Sequence, residues 1–193
     1  MALPRLVTAA LALLGACASL PPAGRLAPEQ EAFWSELRSL CGQAFPGTPV
    51  EVAAGDTAFS GKRLVMHVRS CSDDEICIPF HVGEDRSRTW VITRTAGGLR
   101  LKHDHRHADG SEDAVTQYGG DTDGAGSATL QEFPADAFTA TLIPAAATNI
   151  WTVEVVPGER YSYRLRRVGT DRRFRIDFDL STPISPPPPP WGS

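Results

Sequence analysis

The sequence predicts a mainly β domain, an antiparallel up-and-down barrel preceded by one helix. Three observations point there. From about Thr48 onward, apolar residues recur at every second position in some ten short segments. Glycine or aspartate separates most of these segments, as in Ala96-Gly97-Gly98, Gly119-Gly120-Asp121 and Pro157-Gly158. A single stretch near the N-terminus, PEQEAFWSELRSLCG, has helical spacing instead.

In that stretch Pro28 fits a first helical turn, and Glu29 and Glu31 sit at the positive end of the helix dipole. Phe33, Trp34, Leu37, Leu40 and Cys41 form one apolar stripe, and Gly42 supplies the stop. Strands are expected at 62–71 and 75–82 around the turn Ser72-Asp73-Asp74-Glu75, then at 88–95, 98–107, 112–119, 127–133, 137–143, 150–156, 160–168 and 172–180. The last alternates most clearly: Phe174, Ile176, Phe178 and Leu180 share one face, while Arg173, Arg175, Asp177 and Asp179 share the other. A meander of so many short strands removes its exposed edges most simply by closing on itself. A lipocalin-like or calycin-like barrel is therefore expected, with a β-sandwich or a cupin-like barrel as alternatives. Pro186 to Pro190 and Trp191 form a polyproline tail, read as a strap laid along the domain.

The chain opens MALPRLVTAALALLGAC, one arginine followed by an apolar run far shorter than the roughly 20 residues a bilayer span needs. This reads as a secretory signal, and Leu14-Gly15-Ala16-Cys17 resembles the lipobox of bacterial lipoproteins, in which the cysteine is acylated and becomes the N-terminus. The expected organisation is a signal peptide at 1–16, lipidated Cys17 and a tether at 17–27, one β-rich domain at 28–182, and a Pro-rich tail at 183–193. With Ala18 rather than aspartate after the cysteine, the expected location is the cell envelope, on the outer membrane facing the periplasm, with palmitate among the attached lipids.

Loss of Arg5 with the signal leaves 18 basic residues against 23 acidic ones, so the formal charge of −4 becomes −5. A nucleic-acid partner is not expected from such a balance. Arginines crowd at Arg164, Arg166, Arg167, Arg172, Arg173 and Arg175, but interleaved acids make this read as a solvated charged face. An exported domain permits disulfides. With Cys17 given to lipid, Cys41, Cys71 and Cys77 remain. A Cys71–Cys77 bridge would close only a hairpin, whereas Cys41–Cys71 closes a longer loop and restrains the unfolded chain more, so the expected pairing is Cys41–Cys71 with Cys77 free.

The segments VMHVRSC, IPFHVGEDRSRTW, LKHDHRHADGSED and TQYGG, between Leu64 and Gly120, resemble an uncharacterised family of exported bacterial proteins, over about Phe33 to Gly192. That resemblance implies a coherent domain and no particular activity.

Candidate site residues cluster in LKHDHRHADGSED. Leu99, Leu101, His103, His105 and His107 share one strand face, so the histidines are expected toward the rim if the leucines enter the core. A rim is where barrels bind ligands, and Tyr118 joins the candidates. His105, His107 and Glu112 match part of the first metal motif of cupins, a possible divalent metal site with an open position. The second cupin motif is missing, since no histidine follows His107. DTDGAGSATLQE, Asp121 to Glu132, has a partial calcium-loop pattern with Ala125 at position five. Arg86 and Arg88 beside Trp90 could hold a carboxylate or sugar. No G-x-S-x-G elbow or H-E-x-x-H motif occurs. The leading expectation is a lipid-anchored envelope barrel acting as a binding or structural module, with a small ligand or an envelope protein as partner besides the membrane. A metal-dependent enzyme of cupin-like design is the rival.

Overall fold

The computed structural model describes residues 26–52 and 57–193. The expected signal peptide, Cys17 and nearly all of the expected tether lie outside these residues. Helix α1, Pro28–Ser39, is followed by strands β1 Ala44–Glu51, β2 Leu64–His67, β3 Ser70–Cys71, β4 Glu75–Val82, β5 Asp85–Thr95, β6 Gly98–His105, β7 Tyr118–Asp121 and β8 Leu130–Pro134. Helix α2, Ala137–Leu142, and a 3₁₀ turn, Pro144–Ala146, lead into β9 Asn149–Val156, β10 Arg160–Arg167 and β11 Arg173–Asp179.

All the strand pairings are antiparallel. The order is β7-β6-β5-β4-β2-β1-β11-β10-β9-β8, with β3 beside β4. The chain thus meanders and joins its first strand to its last, and the sheet nearly closes into a barrel. The seam falls between β7 and β8, where a second backbone replaces a regular ladder. A side chain at Gly120 would sit 1.8 Å from the Pro134 carbonyl oxygen, so only glycine lets β7 approach β8 there. The Asp136 N–H donates to the Gly119 carbonyl at 2.9 Å, and the Thr139 hydroxyl occupies the remaining Gly119 groups.

Three sequence expectations need correction. Residues 137–143 alternate like a strand, yet form α2, because the Asp136 carboxylate caps the Thr139 N–H at 2.8 Å and begins a helix. Of 112–119, only the end joins the sheet, as β7. The segment 62–71 is interrupted at Val68 and Arg69, giving β2 and β3. Strand β1 was hidden by Pro46, Gly47 and Pro49. Gly47 belongs there, since a side chain would meet the Phe178 ring at 2.6 Å.

Helix α1 plugs the barrel end formed by the β5–β6 turn and the end of β7. Phe33, Trp34 and Leu37 are buried in the common core. Gln30 Nε2 donates to Thr122 Oγ1 and to the Gly124 carbonyl, both at 3.0 Å. Arg94 forks onto Glu31 at 2.6 and 2.8 Å and lies 4.8 Å over the Trp34 ring. Cys41 is bonded to Cys71, which ties the helix exit to β3, and Cys77 is free. The tail crosses the outer wall as a strap. The Ile184 N–H donates to Ala44, the Trp191 N–H to Arg86, and Arg86 Nη1 to the Pro189 carbonyl at 3.1 Å.

Candidate functional site

The barrel interior is filled by an aromatic column. Phe80 stacks on Trp90 at 4.8 Å between ring centres, and Trp90 meets Tyr163 at 4.2 Å. Cross-strand pairing places Trp90 opposite His103 and His103 opposite Tyr118. His103 lies flat on Tyr118 at 4.4 Å and touches Trp151 at 5.1 Å. Rings of this size bury much area and hold each other in few geometries, so the column forms a rigid floor.

The end opposite α1 is open. There Tyr118, Trp151, Tyr163 and Phe174 form the walls of a cleft of about 220 Å³. Ile143 and Ala146, from the segment after α2, close one side, and Leu165 completes the apolar lining. Its polar groups are Asn149, Arg167 and Arg172. Arg167 Nε donates to Asn149 Oδ1 at 2.8 Å. The Arg167 N–H donates to the Arg172 carbonyl at 2.9 Å, so the two arginines stand at the two feet of the β10–β11 turn. Phe59 packs 5.8 Å from Phe174 and 5.9 Å from Phe80, also at this end.

The histidine run divides across this gradient. His103 is 3% exposed, inside the core rather than at the rim. Its Nδ1 is 2.9 Å from the Tyr118 carbonyl oxygen, which can only accept, so Nδ1 carries the proton. Nε2 then accepts from the Tyr163 hydroxyl at 2.5 Å. Burial holds the pKa of His103 down at about 3, so the ring is neutral and both nitrogens are used. His103 therefore supports the cleft from within the core, with both ring nitrogens engaged by protein groups. His105 lies at the rim, half-buried, with Nε2 3.1 Å from the Tyr118 hydroxyl. Burial, and then the Arg88 charge, lower its pKa. Burial pushes the Tyr118 phenol up to about 12. His107 lies past the end of β6 and is exposed.

The expected metal set does not assemble. Glu112 pairs with Arg106 at 3.2 Å while His105 faces Tyr118, and among the described residues no three His, Cys, Asp or Glu side chains are grouped to hold an ion. The pleat explains this: Arg106 and Glu112 form a bridge on the side opposite His105. The calcium-like loop is likewise engaged otherwise. Asp121 pairs with Arg100 at 2.5 Å, Glu132 with Arg166 at 3.3 Å, and the loop between them is held by Gln30 and Gln131. Arg86, Arg88 and Trp90 do not form one site. Arg86 holds the strap, Arg88 pairs with Asp85, and Trp90 is 2% exposed within the column.

Tyr118 is the one expected site residue that lines the cleft. Trp151, Tyr163, Phe174, Asn149, Arg167 and Arg172 were missed as a group. The signal for the arginines was present in the crowd at 164–175, but an ion-paired face and an unpaired mouth look alike before the pairing is known. Arg164 pairs with Glu154, Arg173 with Glu51, and Arg175 with Asp177 at 2.6 Å, as a charged face requires. A larger, shallower depression of about 480 Å³ on the outer wall includes Arg160 and Asp177, which already pair with neighbours.

The fold and cleft define an antiparallel β-barrel plugged at one end by a helix and open at the other onto an aromatic, cationic mouth. No family model, curated protein or solved structure matches this chain.

Proposed function

We propose that the protein is a cell-envelope binding module that takes a small ligand in the mouth between Tyr118, Trp151 and Tyr163. The observation carrying this reading is the rigid, buried aromatic floor beneath an open cleft, with a few convergent polar groups at its edge. That is the usual make-up of a small-molecule site. The location rests on the signal-like leader and the Leu14-Gly15-Ala16-Cys17 lipobox, which would hold the barrel at a membrane surface through lipid on Cys17.

A thermal-shift screen against a broad panel of small cyclic compounds tests the site. Ile143→Trp is the control, because the added ring fills the cleft from its side wall. Compounds that raise the Tm of the parent should leave that of Ile143→Trp unchanged. A panel that stabilises both proteins equally, or neither, overturns the reading.

A further inference from the structure

We infer that the cleft selects a small anion carrying one flat apolar ring, of the aromatic carboxylate class. This rests on the mouth being a ligand site and adds what the ligand must carry.

The size comes first. About 220 Å³ is below the range of drug-sized pockets, so a single ring with a small substituent fills it. The walls come second. Tyr118, Trp151, Tyr163 and Phe174 offer ring faces and edges on several sides, which favours a flat apolar body over a chain. The charge comes third and decides the class. Arg167 and Arg172 line the cleft, and none of its lining residues is acidic. Ten arginines elsewhere in the described residues have a carboxylate within salt-bridge distance, and three others, Arg63, Arg69 and Arg86, have none there but lie outside the cleft. The Arg167 guanidinium meets the neutral Asn149 amide, and the exposed Arg172 guanidinium has no hydrogen-bond or ion-pair partner among the described residues, its backbone N–H donating to the Thr170 hydroxyl. Two guanidinium groups left without carboxylates, at the feet of one turn and above an aromatic floor, present the fork that a carboxylate accepts in pairs of hydrogen bonds. Tyr118 stays a neutral phenol, so no negative charge opposes the ligand from the wall.

Calorimetric titration of the full chain with benzoate, benzyl alcohol, acetate and inorganic phosphate tests this. Benzoate should bind saturably at one site, and the neutral ring, the ringless carboxylate and phosphate at least about tenfold more weakly. Arg172→Gln should weaken benzoate by about tenfold or more. Arg166→Gln, which alters an arginine paired with Glu132 outside the cleft, should leave benzoate binding unchanged. Benzyl alcohol binding as well as benzoate, or full benzoate affinity in Arg172→Gln, overturns the anion selectivity while the mouth remains a site. Phosphate or acetate matching benzoate overturns the ring requirement. If neither ring compound binds, both this inference and the reading of the mouth beneath it fail.

Discussion

Thr139 and Gly119 exchange two hydrogen bonds across the barrel seam: the Thr139 hydroxyl accepts from the Gly119 N–H at 2.7 Å and donates to its carbonyl at 2.8 Å. A strand would have met these groups with its own backbone. Here one fully buried side chain on α2 does so, at the point where the sheet stops short of closing. The same short helix is followed by Ile143 and Ala146 of the cleft wall, so closing the sheet and shaping the mouth are one structural problem.

Replacing Thr139 with valine keeps the shape and orphans the Gly119 N–H in a buried setting. A loss of about 1–3 kcal/mol is expected in urea denaturation. Thr139→Ser keeps the hydroxyl and should lose about 1 kcal/mol or less. Equal stabilities for the parent and Thr139→Val would show that the seam is held by other contacts.

Acid should destabilise the barrel through His103. Its folded pKa of about 3 lies below the unfolded value near 6.5, so as pH falls through 6.5 the unfolded chain takes up a proton that the folded chain refuses. The contribution is fully present above about pH 6.5 and declines by up to about 1.4 kcal/mol per pH unit toward pH 3. His67, His81 and His105 are also lowered, each mainly by burial, and add to the same trend. His103→Gln should be less stable than the parent at pH 7 and lose less stability between pH 7 and pH 5. Parallel pH profiles for the two proteins would refute the assignment.

The bridge between Cys41 and Cys71 spans a sequence separation of 30 and holds the exit of α1 to β3. By the chain-entropy model, its loss in Cys71→Ala should cost about 3–4 kcal/mol. Cys77→Ala should cost much less. Peptide mapping without reductant should recover a linked Cys41–Cys71 pair. Burial raises the Cys77 thiol pKa, so its alkylation should be slow in the folded protein and fast in urea. A Cys71–Cys77 link in that map would contradict the pairing.

The proposed anchor makes a separate claim. Cys17→Ala should remove the lipid from the N-terminal peptide and release the protein from membranes. If the variant fractionates with membranes as the parent does, and no lipid mass is found on the parent, the lipoprotein reading is wrong.

What could be read from the chain follows from which interactions are local. Alternation exposed β4, β5, β6, β9, β10 and β11, because one-sided burial leaves a period of two in the sequence. It misread 137–143, where Asp136 capping outweighs the strand-like threonines, and it missed β1, where Gly47 serves the distant Phe178 ring. For the site, the alternating face of β6 was correct, but its depth was not. His103 reaches the core because Tyr163, distant in sequence, supplies its hydrogen bond. The mouth draws on β7, β9, β10 and β11 together, and no one segment shows which arginines lack acids.

The tryptophans allow the most direct test of the mouth as the binding site. Trp151 lines the cleft, Trp34 lies on the buried face of α1 at the plugged end, and Trp191 sits in the strap on the outer wall. In ¹⁵N correlation spectra recorded during a benzoate titration, the Trp151 indole resonance should move saturably while those of Trp34 and Trp191 stay in place. A saturable shift at Trp34 or Trp191 with Trp151 unmoved, or no shift at any indole, would contradict ligand binding at the open end.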